Sequence, residues 1–296
     1  MEEISFKNRF NDTLFGTSWE IDNPKAIVMI VTGMAEHSRR YDDFAKFLNE
    51  NHFSVFCLDH YGQGVGKNGE LGNPGRDYFF KMQETIKEFI LKKKGETGLK
   101  VYLFAHSMGS FVTQGFIEKY SRVIDKVVLC GSNGPNPLVK FGYLYTQIFV
   151  NGYNYNKTAG FIHSLSIGAY EKSVKTRKSN NDWISYNKDN VEKYDNDEYS
   201  GYRPTNGFYK EFMKGLMSIQ KKKNVKTISQ TLPILIIGGE DDAVGNFGKG
   251  LEKLAALYKK YNLNVKLIIY EKMRHEILNE KDNLKVYNDI LNFFEY

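Results

Sequence analysis

Short β-branched apolar runs alternate with amphipathic helical stretches at both ends of this chain, and that alternation leaves few architectures open. Apolar runs of five or six residues recur at 26–31, 53–58, 126–130, 233–237 and 265–270. They are too short for buried helices and too evenly apolar for strands with one wet face. Runs of this kind read as strands covered on both sides, the pattern of an α/β fold with a mostly parallel sheet. Further strands fall at 100–105, at 13–21 and near Ile4, which brings the sheet to eight strands. Helical periodicity marks 41–51, 78–94, 108–120, 247–261 and the stretch from Asn283 onward. In the second of these, Met82, Ile86, Phe89 and Ile90 share one face.

The alternation breaks between residues 133 and 230. No clean strand occurs there, and the stretch holds ten of the 20 tyrosines. It reads as an inserted helical cap, or lid, on a core made of residues 1–132 and 231–296. Charge follows the same division. The insertion carries 15 Lys and Arg against 8 Asp and Glu, while the whole chain of 296 residues carries a net charge of only +6. A charge that small on this length does not argue for nucleic acid, so no nucleic-acid partner is expected. The apolar runs fall far below the roughly 18 residues that a spanning helix needs. Met1-Glu2-Glu3-Ile4 opens acidic, without the apolar segment of a signal peptide. Cys57 and Cys130 lie inside strand runs as buried free thiols, and the expected location is the cytoplasm.

Chemistry concentrates at Phe104-Ala105-His106-Ser107-Met108-Gly109, between a strand and a helix. A serine flanked by small residues at such a junction matches a nucleophile elbow, usually G-x-S-x-G, in which the tight turn lifts Oγ clear of the sheet. Ala105 stands where the first glycine is usual, and Gly109 is intact. A serine nucleophile needs a base and an orienting carboxylate, which follow the elbow in the order carboxylate, then histidine. Of the six histidines only His275 lies after the strand at 233–237, in the loop before the last helix. The carboxylate belongs in the loop after that strand, where spacing alone cannot choose between Asp241 and Asp242. Attack also creates an oxyanion that needs two N–H donors held ready. Met108, next to the nucleophile, supplies one; Met34, in the loop after the strand at 26–31, supplies the other. Ser38 in the same loop is a candidate cap for the next helix.

Competing motifs fail on context. Gly64-Val65-Gly66-Lys67-Asn68-Gly69 satisfies G-x-G-x-x-G, but the sequence continues as a loop where a helix should open. No Walker loop, C-x-x-C or H-x-x-x-H occurs. No cofactor and no metal are therefore expected.

Five segments in order resemble serine hydrolases of the α/β-hydrolase fold, in particular monoacylglycerol lipases and bacterial lysophospholipases. Thr32-Gly33-Met34-Ala35-Glu36-His37-Ser38-Arg39-Arg40-Tyr41 is similar to H-G-x-x-E-H-S-x-R-Y, with Thr32 for the first His. Asp59-His60-Tyr61-Gly62-Gln63-Gly64 is similar to D-H-x-G-H-G, with Gln63 for the second His. His106-Ser107-Met108-Gly109 matches H-S-M-G, and Asp242-Ala243-Val244-Gly245-Asn246 resembles D-P-V-G-N, which favours Asp242 over Asp241. Arg274-His275-Glu276-Ile277-Leu278-Asn279-Glu280 matches R-H-E-I-L-N-E. The resemblance implies a carboxylic-ester hydrolase acting on monoacyl lipids through Ser107, His275 and Asp242 by way of an acyl-enzyme. An aminopeptidase of the same fold is the alternative and would need a carboxylate such as Glu171, Glu192 or Glu211 to hold a free amine. A non-catalytic ligand-binding protein is the rival from another class. The basic insertion also carries Phe141, Tyr143, Leu144, Ile148 and Phe149 at roughly helical spacing, which suggests weak contact with anionic membrane surfaces.

Overall fold

The computed structural model describes residues 1–65 and 69–296. Gly66, Lys67 and Asn68, at the centre of the glycine-rich run 64–69, lie outside the described residues. In chain order the first part comprises β1 (Glu2–Lys7), β2 (Thr13–Trp19), β3 (Ala26–Val31), α1 (Asp42–Glu50), β4 (Phe53–Leu58), α2 (Tyr78–Thr97), β5 (Val101–His106), α3 (Met108–Tyr120) and β6 (Lys126–Cys130). The insertion follows with α4 (Leu138–Phe149), α5 (Phe161–Ser173), α6 (Lys188–Asn196), α7 (Asn206–Leu216) and the short α8 (Lys222–Val225). The chain then returns as β7 (Ile234–Gly239), α9 (Lys249–Lys259), β8 (Val265–Tyr270) and α10 (Asn283–Glu295).

The eight strands form one sheet in the order β1-β2-β4-β3-β5-β6-β7-β8. Pairings from β4 to β8 are parallel, while β1 with β2 and β2 with β4 are antiparallel. Every residue of β3, β4 and β5 is buried, as evenly apolar runs require. Successive side chains point to opposite faces. Ile27, Met29, Leu103 and Val127 pack one way, with Met82, Ile86 and Phe89 of α2, Phe116 of α3 and Leu254 of α9. Val28, Ile30, Phe104 and Val128 pack the other way, with Phe44 and Leu48 of α1 and Ile290 and Phe294 of α10. This is the α/β-hydrolase architecture that the resemblance implied.

Element ends differ from the sequence reading where backbone geometry intervenes. Helix α9 begins at Lys249 and not at 247, because Asn246, Phe247 and Gly248 all have positive φ (50°, 55° and 81°). Helix α2 runs past 94 to Thr97, and Gly98 at φ 70° ends it with its N–H on the Lys94 carbonyl. Strand β2 stops at Trp19, opposite Val55 of β4, two residues short of Ile21. The insertion contributes no strand to the sheet; among the described residues its one sheet-like contact is the bridge Thr158–Thr205.

Candidate active site

Ser107 is the single residue between β5 and α3, with φ 50° and ψ −120°. A non-glycine residue at that conformation is strained and must be held by its surroundings. The holding contacts are local: Ser107 N–H donates to the Cys130 carbonyl of β6 at 2.9 Å, and its carbonyl accepts from Ser110 N–H at 2.9 Å. Gly109 is required because a Cβ there would run into the Val31 and Thr32 carbonyls at the end of β3. Ala105 is fully buried in the sheet core, so its methyl group is accommodated there. Ser107 itself is only half-buried.

His275 Nδ1 lies 3.0 Å from Asp242 Oδ1, and both residues are buried. A carboxylate oxygen accepts here, so Nδ1 is the nitrogen that carries the hydrogen of this contact. Asp242 Oδ1 also accepts from Val244 N–H at 2.8 Å, and Oδ2 has no partner among the described residues. Asp241 is directed elsewhere, its Oδ2 taking the Tyr186 hydroxyl at 3.0 Å. Of the two aspartates left open by spacing, only Asp242 meets the imidazole. Gly239 brings the two loops together, since a Cβ there would collide with the Met273 and Arg274 carbonyls. Gly131, at φ 57°, leaves room for the imidazole; a Cβ would sit 3.0 Å from His275 Cε1. Trp183 of the insertion covers His275 with ring centroids 5.2 Å apart. Ser107 Oγ makes no hydrogen bond with a described residue. Nucleophile–base contacts commonly tighten only when substrate is seated.

The loop after β3 runs close past the serine: a Cβ on Gly33 would lie 3.1 Å from Ser107 Cβ. Among the described residues, neither Met34 N–H nor Met108 N–H donates a hydrogen bond within the protein. Gln63, which replaces a histidine of the related pattern, ties this loop down. Its Oε1 accepts from Ala35 N–H at 2.9 Å, and its Nε2 donates to the Gly33 carbonyl at 2.9 Å. Ser38 does not cap the following turn. Its N–H goes to Asp59 Oδ1 at 2.6 Å, and its hydroxyl pairs with that of Thr17 at 2.8 Å. Apolar clusters flank both sides. Met34 and Met108 pack with Tyr78, Ile162, Phe208 and Tyr209. Trp183 packs with Ile184, Val191 and Val244 on the His275 side. Among the described residues no three His, Cys, Asp or Glu side chains converge as metal ligands.

Glu36, Arg40, His106 and Glu276 form a buried charged cluster that the sequence reading quoted in motifs but gave no role. Glu36 Oε1 accepts from Gly33 N–H, from the Tyr41 hydroxyl at 2.8 Å and from His106 Nδ1 at 3.1 Å. Its Oε2 meets Arg40 at 3.0 Å, and Arg40 grips both oxygens of Glu276 at 2.7 Å each. The other nitrogen of His106 lies 3.3 Å from the His275 carbonyl. Both partners of His106 are acceptors, an arrangement that favours the doubly protonated ring. Burial works against that charge, but the hydrogen bond and charge of Glu36 outweigh it and raise the His106 pKa. Burial likewise pushes Glu36 up, and His106 and Arg40 hold it well below the usual carboxylate range. The available signal was a pair of titratable residues, His106 and Glu276, directly beside Ser107 and His275.

The two shifts act at opposite ends of the pH range over which they stabilise the fold. A raised imidazole pKa contributes stability that is complete below the ordinary value of 6.5 and is lost as pH rises through the folded value. The lowered Glu36 pKa contributes stability that is complete above 4.5 and is lost as pH falls through the folded value. Denaturant midpoints of the wild type should therefore decline as pH rises above 6.5, and His106→Gln should remove that component. Equal alkaline slopes in the two proteins would contradict it.

The family model described as "Serine aminopeptidase, S33" matches residues 22–282. The chain is 25% identical over 286 residues to a monoglyceride lipase homolog of monkeypox virus, covering 94% of this chain and 92% of that protein. It is 25% identical over 281 residues to human monoglyceride lipase, covering 90% and 81%. Among solved structures, a thermostable carboxyl esterase from Bacillus coagulans in complex with glycerol superposes with a TM-score of 0.91 at 26% identity, covering 99% of this chain and 97% of that one. With an eight-stranded hydrolase sheet and a family match spanning nearly the whole chain, this protein is a serine hydrolase and belongs to the serine aminopeptidase family so described.

Proposed function

We propose that this hydrolase cleaves the carboxylic ester of monoacyl lipids, such as monoacylglycerols or lysophospholipids, through an acyl-enzyme on Ser107. The observation that carries the reading is the 3.0 Å contact of His275 with Asp242, on loops that converge beside the strained Ser107. Ser107 Oγ attacks the ester carbonyl while His275 Nε2 takes its proton, and Asp242 holds the imidazole in orientation and tautomer. The carbonyl oxygen becomes an oxyanion received by the N–H groups of Met34 and Met108. Collapse breaks the ester C–O bond, and His275 returns the proton to the departing alcohol. Water, deprotonated by the same His275, then cleaves the acyl-enzyme and releases the fatty acid. The flanking apolar clusters suit an acyl chain, and the names of the viral and human relatives support a monoglyceride. Two buried free cysteines fit a cytoplasmic protein.

The family description keeps the aminopeptidase reading in view. Glu211 suits it poorly: its oxygens already take Asp77 N–H at 3.1 Å and the Tyr155 hydroxyl at 3.3 Å. Glu192 is exposed, and Glu171 is half-buried on α5. The insertion as a cap over the site, on a core of 1–132 and 231–296, belongs to the same proposal, as does docking on lipid. Leu138, Phe141, Leu144, Ile148 and Phe149 of α4 are exposed, with Phe141 and Ile148 each at 68%. Tyr143 is half-buried. Helix α4 packs on α7, whereas the lysines at 221–223 lie by α8, which packs on α3. The apolar face of α4 is therefore the part proposed to meet the lipid surface, with charge a weaker contributor.

Ser107→Ala should abolish hydrolysis of a p-nitrophenyl ester and of monoacylglycerol without unfolding the protein. Asp242→Asn should cost on the order of 10⁴-fold in kcat, and Asp241→Asn far less. Near-wild-type turnover by Ser107→Ala, the reverse ranking of the aspartates, or faster cleavage of aminoacyl amides than of esters would overturn the reading.

For the lipid surface, Phe141→Asp with Ile148→Asp should weaken sedimentation with anionic vesicles and lower turnover of vesicle-borne substrate, sparing a soluble ester. Equal losses on both substrates would contradict docking through α4.

A further inference from the structure

The loop that carries Met34 turns at Ala35, a non-glycine residue at φ 53°. Left to itself such a residue relaxes toward negative φ, and the course of the loop that carries Met34 would change with it. Two hydrogen bonds end on its carbonyl, and both come from the insertion: the Tyr194 hydroxyl at 3.0 Å and Gly201 N–H at 3.0 Å. The donors are built as one clamp. A Cβ on Gly201, at φ 65°, would touch the Tyr194 ring at 3.0 Å. Between them, Asp197 takes His37 Nε2 at 2.6 Å and the Ser200 hydroxyl at 2.8 Å, which fixes the turn against the same loop. Tyr194 is buried, and the Arg40 guanidinium lies over its ring at 4.6 Å. Burial pushes the phenol pKa up, so the hydroxyl stays protonated and donates.

We propose that Tyr194 is a positioning residue for the oxyanion hole: with Gly201 N–H it holds the Ala35 carbonyl at one end of the loop, while Gln63 holds the Gly33 carbonyl at the other, and together they keep Met34 N–H directed at the reacting carbonyl. The inference rests on the assignment of Met34 as an oxyanion donor. It makes the stretch from α6 to Gly201 part of the catalytic frame. The outer helices differ: Val150 and Ala159, at the edges of α4 and α5, bond to Lys210 and Pro204 of the insertion itself.

Tyr194→Phe keeps the ring and its contact with Arg40 and removes one donor. It should lower kcat about tenfold, the effect of one lost hydrogen bond, with KM nearly unchanged. The loss should be the same on a short soluble ester as on a lipid, because it arises at the reacting centre. Octylboronic acid, whose tetrahedral adduct on Ser107 places an oxyanion in the hole, should bind the variant more weakly by a similar factor. Adding Ala35→Gly to the variant should restore part of the loss, since glycine adopts positive φ without strain. Active sites are counted with a fluorophosphonate, so that a merely less stable protein shows fewer sites but full turnover per site. Unchanged kcat per titrated site, a loss confined to KM, or no rescue by Ala35→Gly would overturn the proposal. If the wild type neither reacts with fluorophosphonate nor binds the boronate, the reading of the site itself fails, and not the role of Tyr194.

Discussion

A carboxylate buried without partners is so costly that a fold must either neutralise it or surround it with donors. Glu36 is surrounded by donors from its own loop and from the residue before Ser107, and Arg40 extends the network to the His275 loop. Gly33 N–H belongs to the loop of Met34, His106 adjoins Ser107, and Arg40 reaches Glu276, the neighbour of His275. Satisfying one charge thus draws the Ser107 turn, the Met34 loop and the His275 loop to one point. His106 closes the circuit through the His275 carbonyl. Removing a partner from a buried pair of this kind typically costs about 3–5 kcal/mol, because the remaining charge is left unpaired. The same low-dielectric surroundings that make the cluster costly to break make its geometry stiff.

The sheet supplies the framework on which this cluster can form. Parallel β3, β5, β6 and β7 bring their C-terminal ends side by side, and the loops leaving those ends carry Gly33, Ser107, Gly131 and Asp242. Close approach is possible because Gly109 and Gly239 present no side chain where backbones meet. The insertion adds a second set of ties. Ile184 takes Glu276 N–H at 2.7 Å, Asn190 donates to Glu276 at 2.7 Å, and Ser185 donates to Glu280 at 2.9 Å. Its inner segments are fastened to the loop that carries His275, while α4 turns apolar side chains outward.

The sheet was legible in the sequence because fully buried strands leave continuous apolar runs, and Ala26–Val31 and Phe53–Leu58 appear where those runs lie. Helix starts were less so: Asn246 and Gly248 tolerate positive φ, but nothing announces that Phe247 between them shares it. Ser107 and His275 could be singled out by local pattern and chain order. The choice between Asp241 and Asp242 needed family resemblance, because one residue of spacing does not say which side chain turns inward. The partners of Glu36 left only a faint mark, the titratable residues beside Ser107 and His275. Its ties to His106 and, through Arg40, to Glu276 join residues far apart in sequence, and a buried charge leaves no periodic trace. The same holds for Ala35, an unremarkable residue whose positive φ depends on a tyrosine in the insertion.

Nitrogen-15 NMR of histidine-labelled protein reads the central element most directly, with His106→Gln used to assign the His106 signals. If the site is organised around a buried Glu36–His106 ion pair, both ring nitrogens of His106 will show the protonated shift at pH values above 6.5, the ordinary imidazole pKa. A His106 ring with one bare nitrogen at neutral pH would contradict the account.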